Sequence, residues 1–83
     1  MTPRINLPGD DGFDLYLYFE DHHPPHVHLF CSGGEATIAL GDETRAPHVL
    51  RSKGLREKDK LRALRLVERH QVKLLAAWES FNV

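Results

Sequence analysis

Four of the six histidines stand within eight residues, Asp21-His22-His23-Pro24-Pro25-His26-Val27-His28. Two kinds of chemistry use side chains of this type at this spacing. The first is metal binding. Imidazole is a common ligand for zinc, nickel and copper, and a His-x-His on a strand presents two rings on one face. His23, His26 and His28 are the candidate ligands, with Glu20, Asp21 or His22 as a further one. Pro24-Pro25 would hold His23 at a fixed offset, because each ring locks φ. Zinc or nickel is the cofactor such a site would take. No Cys-x-x-Cys or His-Glu-x-x-His accompanies it. The second chemistry is general acid–base catalysis by His26 and His28, as in metal-independent RNA cleavage. That reaction also needs a cation beside the developing phosphate charge. The plainer reading is that the rings hydrogen-bond to neighbours and order a connector.

The elements around the histidines must position them. Residues 1–12 hold Pro3, Pro8, Gly9, Asp10, Asp11 and Gly12 and read as a loop. Phe13 to Glu20 alternates, with Phe13, Leu15, Leu17 and Phe19 on one side and Asp14, Tyr16, Tyr18 and Glu20 on the other, which predicts a half-buried strand. Tandem prolines fit neither a helix nor a central strand, so Asp21 to Pro25 is a stiff connector. A second strand runs from about His26 to Cys31, and a third from Ala36 to Leu40. With Gly33-Gly34 as the hairpin loop, Cys31 faces Ala36 and His28 faces Ala39. Val27, Leu29 and Cys31 then share the inner face with Ala36, Ile38 and Leu40. His26, His28 and Phe30 share the outer face with Tyr16 and Tyr18. His48 to Leu50 is a candidate short fourth strand.

From Arg56 to Phe81 an apolar stripe recurs at helical spacing, through Leu61, Leu64, Val67, Gln71, Leu74, Leu75, Trp78 and Phe81, with Ala63 and Ala77 at its edge. One helix of about 37 Å follows from the 1.5 Å rise, with a bend allowed near His70-Gln71. Lys58, Arg62, Arg65, Arg69 and Lys73 line its polar side. The expected fold is α+β in two layers: a three- or four-stranded antiparallel meander over residues 13–50, packed on one long C-terminal amphipathic helix over 56–81, all in a single domain, 1–83. The basic stripe and the outward histidines should then lie on opposite surfaces, meeting in one site only through a homodimer or a partner chain.

Composition narrows the class. The chain has 83 residues, 41% hydrophobic and 28% charged, which is globular, with the single Cys31 leaving no intramolecular disulfide. No apolar run suits a signal peptide or a membrane span, so a cytoplasmic location without membrane association is expected. The net charge of −1 conceals a balance of −6 over residues 1–50 and +5 over residues 51–83. Such asymmetry can steer a charged partner, or draw the two halves together.

The run from Tyr18 through Asp21-His22-His23-Pro24-Pro25-His26-Val27-His28, followed by Glu35-Ala36-Thr37-Ile38, resembles a family of small bacterial proteins known only as domain of unknown function 4160. Ala63-Leu64-Arg65-Leu66-Val67 and His70 with Leu74-Leu75-Ala76-Ala77-Trp78-Glu79 are similar to that family's tail. The chain departs from the pattern between Arg51 and Lys60, where the approach to the helix is longer and more charged and the usual proline is missing. The resemblance implies a cytoplasmic protein, often encoded beside a second small protein in a toxin–antitoxin-like arrangement, and no established activity. The expected function is an interaction component of such a two-protein module. Its outer sheet face, with Tyr16, Tyr18 and Phe30, and its helix cations Lys58, Arg62, Arg65 and Arg69 would bind a protein partner or RNA. A ribonuclease-like toxin using His26 and His28, and a metal-binding domain on His23, His26 and His28, are the alternatives.

Overall fold

A computed structural model describes residues 4–5, 12–17 and 24–81. Among these, five strands form one antiparallel sheet in chain order: β1 (Arg4–Ile5), β2 (Asp14–Tyr16), β3 (His26–Cys31), β4 (Gly34–Ala39) and β5 (His48–Lys53). Two helices follow, α1 (Glu57–Arg69) and α2 (Gln71–Phe81). The α+β meander expected from the sequence is the fold. Its edges differ from expectation: Arg4–Ile5, within the segment read as loop, pairs with β2, and the fourth strand of the meander continues to Lys53. Tyr18, Glu20, Asp21, His22 and His23 lie outside the described residues.

The β3–β4 hairpin turns one residue earlier than Gly33-Gly34. Its loop is Ser32-Gly33, both with positive φ (46° and 81°), between Cys31 and Gly34, which are paired. The reason lies at Gly34. A Cβ there would stand 2.6 Å from the Gly54 carbonyl oxygen and 2.7 Å from Leu55 Cδ2. The close passage of the β5–α1 connection therefore requires glycine inside the strand, and Ser32 takes the left-handed conformation that glycine would have favoured. This moves the register by two residues: Val27 pairs with Ile38, His28 with Thr37, Leu29 with Ala36 and Phe30 with Glu35. A shift of two preserves faces, so the inner and outer sets survive while each residue's neighbour changes.

The inner face buries Leu15, Val27, Leu29, Ala36 and Ile38 against Ala63, Leu66 and Val67 of α1 and Leu74 and Trp78 of α2. Cys31 sits at the margin of this core, half-buried. The helical stripe is displaced from the expected one: Leu61 is 49% exposed, whereas Ala63 and Leu66 are buried. Fully buried Ala63 brings no long side chain to the helix–sheet contact. The helix is also divided. His70 has φ −116° and ψ 21°, its N–H is shared between the Leu66 and Val67 carbonyls, and its own carbonyl accepts from the Leu74 N–H. No proline or glycine marks the break. The new direction is held by Gln71, whose side-chain amide donates to the Leu40 carbonyl at 2.8 Å.

Candidate functional site

The outer face is laid out by three lateral rows of register partners. The first row is His26, Ala39 and His48. The second is Tyr16, His28, Thr37 and Arg51. The third is Asp14, Phe30, Glu35 and Lys53. Side chains of directly opposed residues project to the same side, so each row is one line of neighbours.

The histidine end of this face is closed. His26 is only 5% exposed, although it points from the sheet opposite to the core residues Val27 and Leu29. Its ring stands 5.2 Å from that of Trp78 and 5.0 Å, edge-on, from that of His28. Its Nδ1 donates to the Pro24 carbonyl at 2.7 Å. A carbonyl only accepts, so this contact fixes the hydrogen on Nδ1. His28 is half-buried, with Nδ1 3.4 Å from the Thr37 hydroxyl and Nε2 withdrawn from solvent. The ladder continues past the strand start through Pro25, whose carbonyl accepts from the Leu40 N–H at 2.9 Å. Both imidazoles project from the outer face as expected, but that end of the face is not clear of the helices: α2 reaches it through Trp78. In this arrangement the rings join connector, sheet and helix.

For a metal, the Nδ1–H···O=C bond of His26 is the orientation that ligating histidines commonly use. Among the described residues, however, no group of three His, Cys, Asp or Glu side chains could hold an ion. His26 and His28 supply two donors, and His23 lies outside the described residues.

The other end of the face is open. The Tyr16 and Phe30 rings meet edge to face at 5.6 Å and both are half-buried. Arg51 and Lys53 are exposed on the same face at its far edge, at the β5 ends of the second and third rows. Sequence reasoning missed both cations as outer-face residues, because the fourth strand was expected to end at Leu50. Their alternation with Ser52 is the signal that would have found them. A bulge separates the Thr37–Arg51 pair from the Ile38–Val49 pair, and Leu50 is the extra residue.

The helix cations lie elsewhere. Lys58, Arg62, Arg65, Arg69 and Lys73 are all exposed, as their stripe implied. Arg62 donates to Asp59 at 2.9 Å and sits 5.5 Å over the ring of buried Phe13, so it also covers the core. Arg62, Arg65, Glu68 and Arg69 line an open hollow of about 600 Å³. Near the histidine end, Asp42 Oδ1 accepts from the Thr44 N–H and hydroxyl and from the Arg45 N–H, at 2.8, 2.9 and 3.0 Å. These bonds, the Thr44 N–H first, hold its carboxyl below the ordinary value of 3.8.

A family model described as a domain of unknown function, DUF4160, matches residues 12–79. The chain belongs to the DUF4160 family. Neither a curated protein nor a solved structure matches it. The DUF4160 match spans β2 to β5, α1 and all but the last two residues of α2, from the residue before Phe13 to the one after Trp78. Among the described residues, no helix is long and apolar enough to cross a membrane.

Proposed function

We propose that this DUF4160 chain is an RNA-binding interaction component, one half of a two-protein module of the toxin–antitoxin kind, with the open end of the outer sheet face as its binding surface. One observation carries this reading: the register sets the Tyr16–Phe30 ring pair and the exposed Arg51 and Lys53 on the same face. Half-exposed rings offer stacking to unpaired bases, and flanking cations meet phosphate. Arg51 lies about 14 Å from Tyr16 across three strand spacings, which suits a strand of RNA laid across the β-strands. Glu35 stands beside Phe30 in the third row and would repel phosphate there, so the path crosses by the second row and reaches Lys53 only at β5, past Arg51. The ribonuclease alternative is supported less well, because His26 is packed against Trp78 and His28 Nε2 is withdrawn from solvent.

The test is fluorescence anisotropy with a short single-stranded RNA. Replacing Tyr16 by Ala should cost about 1–3 kcal/mol of binding if it stacks a base. With Arg51 and Lys53 each on a phosphate, log K should fall against log salt with a slope of about −1.4, flattening to near zero in the double Ala variant. Binding that ignores all three substitutions would defeat the reading. Capture of a protein partner at Tyr16 and Phe30 with no affinity for RNA would replace it with a protein interface.

A further inference from the structure

Strand β5 closes the sheet order on one side, with β4 as its one neighbour among the described strands. Beside it, between β5 and α1, lies a hollow of about 320 Å³ whose walls are Val49, Ser52, Lys60, Leu61 and Leu64, with Glu57 at its rim. Leu61, one of the three large apolar side chains exposed on the described surface (49%), stands here. The Lys60 ammonium is held by Glu57 at 2.6 Å, which leaves the hollow itself mainly aliphatic. On the opposite side of the same strand stand exposed Arg51 and Lys53. An edge strand therefore runs between an apolar trough and a pair of cations.

We propose that β5 is a strand-addition site for an acidic segment of a partner protein, with apolar residues alternating with Asp or Glu. An added strand would lie about 4.8 Å from β5 and take its outward N–H and C=O groups. Because strand side chains alternate, one set falls over Leu61 and Leu64 and the other falls beside Arg51 and Lys53. The trough selects apolar residues for the first set, and the cations select carboxylates for the second. A second copy of this chain is a poor occupant. Pairing β5 with itself would gather two Arg51 and two Lys53 on one short ribbon, and like charges across strands destabilise. Edge cations and bulges are a common guard against such self-pairing. Here the guard is selective by sign: it turns away another β5 and admits an acidic strand. The site shares Arg51 and Lys53 with the RNA reading but takes nothing from Tyr16 or Phe30, and its trough takes no part in that reading.

The experiment uses the full chain and two capped peptides, one alternating Val with Glu and one alternating Val with Lys, followed by amide hydrogen exchange and methyl chemical shifts. The Glu peptide should slow exchange at β5 by about tenfold or more and move the Leu61 and Leu64 methyls; the Lys peptide should do neither. Arg51→Glu with Lys53→Glu should reverse the preference. Leu61→Glu, on an exposed helix position, should abolish the effect of the Glu peptide with the fold intact. Tyr16→Ala should leave it unchanged, which separates failure here from failure of the RNA reading. Equal response to both peptides, protection confined to residues outside β5, or an undiminished response in Leu61→Glu would overturn the proposal.

Discussion

The two ends of β3 present the same outer face and the same kind of pairing, yet they have opposite surroundings. His26 starts the strand and is buried, edge-on to His28 and against Trp78. Phe30, four residues on, meets Tyr16 in a similar edge-to-face pair but remains half-exposed beside Glu35 and near Lys53. What separates them is α2. Gln71 fastens the start of that helix to Leu40, the residue after β4, and Trp78, two turns further on, lies against His26. His26 and His28, which look chemical in sequence, are thereby drawn into packing contacts, and the half-exposed aromatic pair becomes the better candidate for recognition. The nature of a surface is set here by what a distant element covers.

The comparison breaks most directly at Trp78. Trp78→Ala should cost about 3–5 kcal/mol in urea unfolding, as for other buried aromatics. His26→Ala removes a buried ring, worth about 1.5–3 kcal/mol, and the hydrogen bond to Pro24, worth about 0.5–1.5 kcal/mol. At the open end, Arg51→Ala should stay within about 0.5 kcal/mol of the parent. If Arg51→Ala destabilises as much as His26→Ala, the two ends are not different in kind.

The hairpin offers the next test. Gly34→Ala would place a methyl against the Gly54 carbonyl and Leu55, and backbone there cannot swing away. Overpacking of this sort costs about 1–3 kcal/mol. Gly33→Ala meets nothing within 4 Å but sits at φ 81°, so its cost is conformational only, about 1–2 kcal/mol. A smaller loss at position 34 than at position 33 would mean that the β5–α1 connection does not press on the turn, and that Ser32 has another reason for its positive φ.

These cases also mark what was legible in the sequence. Alternation in Phe13 to Leu17 and in Val27 to Leu29 identified the core face, because period-two burial is a local property. The turn was not legible to the residue. Ser32-Gly33 and Gly33-Gly34 both suit a tight hairpin, and the choice was made by Gly54, about twenty residues away. The helix stripe drifted toward Leu61 because large aliphatics dominate a pattern, while the contact itself is made by Ala63 and Leu66. The break falls at His70, where a bend was allowed, but the burial of His26 was not legible, since it depends on Trp78 reaching the strand's start beyond that break. Arg51 and Lys53 were hidden by a strand end drawn too early.

The smallest effect is expected at Asp42, and it bears on the closed end through α2. The Asp42 carboxylate orders its own turn by accepting from Thr44 and Arg45, and the Asp42 carbonyl lies 3.5 Å from the Gln71 amide that tethers the helix. Its folded-state pKa is depressed, so folding releases a proton that the unfolded chain holds more tightly. The contribution is therefore fully present above the ordinary value of 3.8 and is lost as pH falls through the lower folded value. Asp42→Ala should melt slightly below the parent at neutral pH, and the two melting curves should converge as the pH falls below 3.8 through the lower folded value. Because the carboxylate is exposed, the gap at neutral pH should be small, and it should persist in high salt, since hydrogen bonds to Thr44 outweigh the attraction to Arg45. A gap that widens on acidification would mean the turn is held by something other than the ionised carboxylate. The tether at Gln71, and with it the cover over His26, would then rest on the backbone alone.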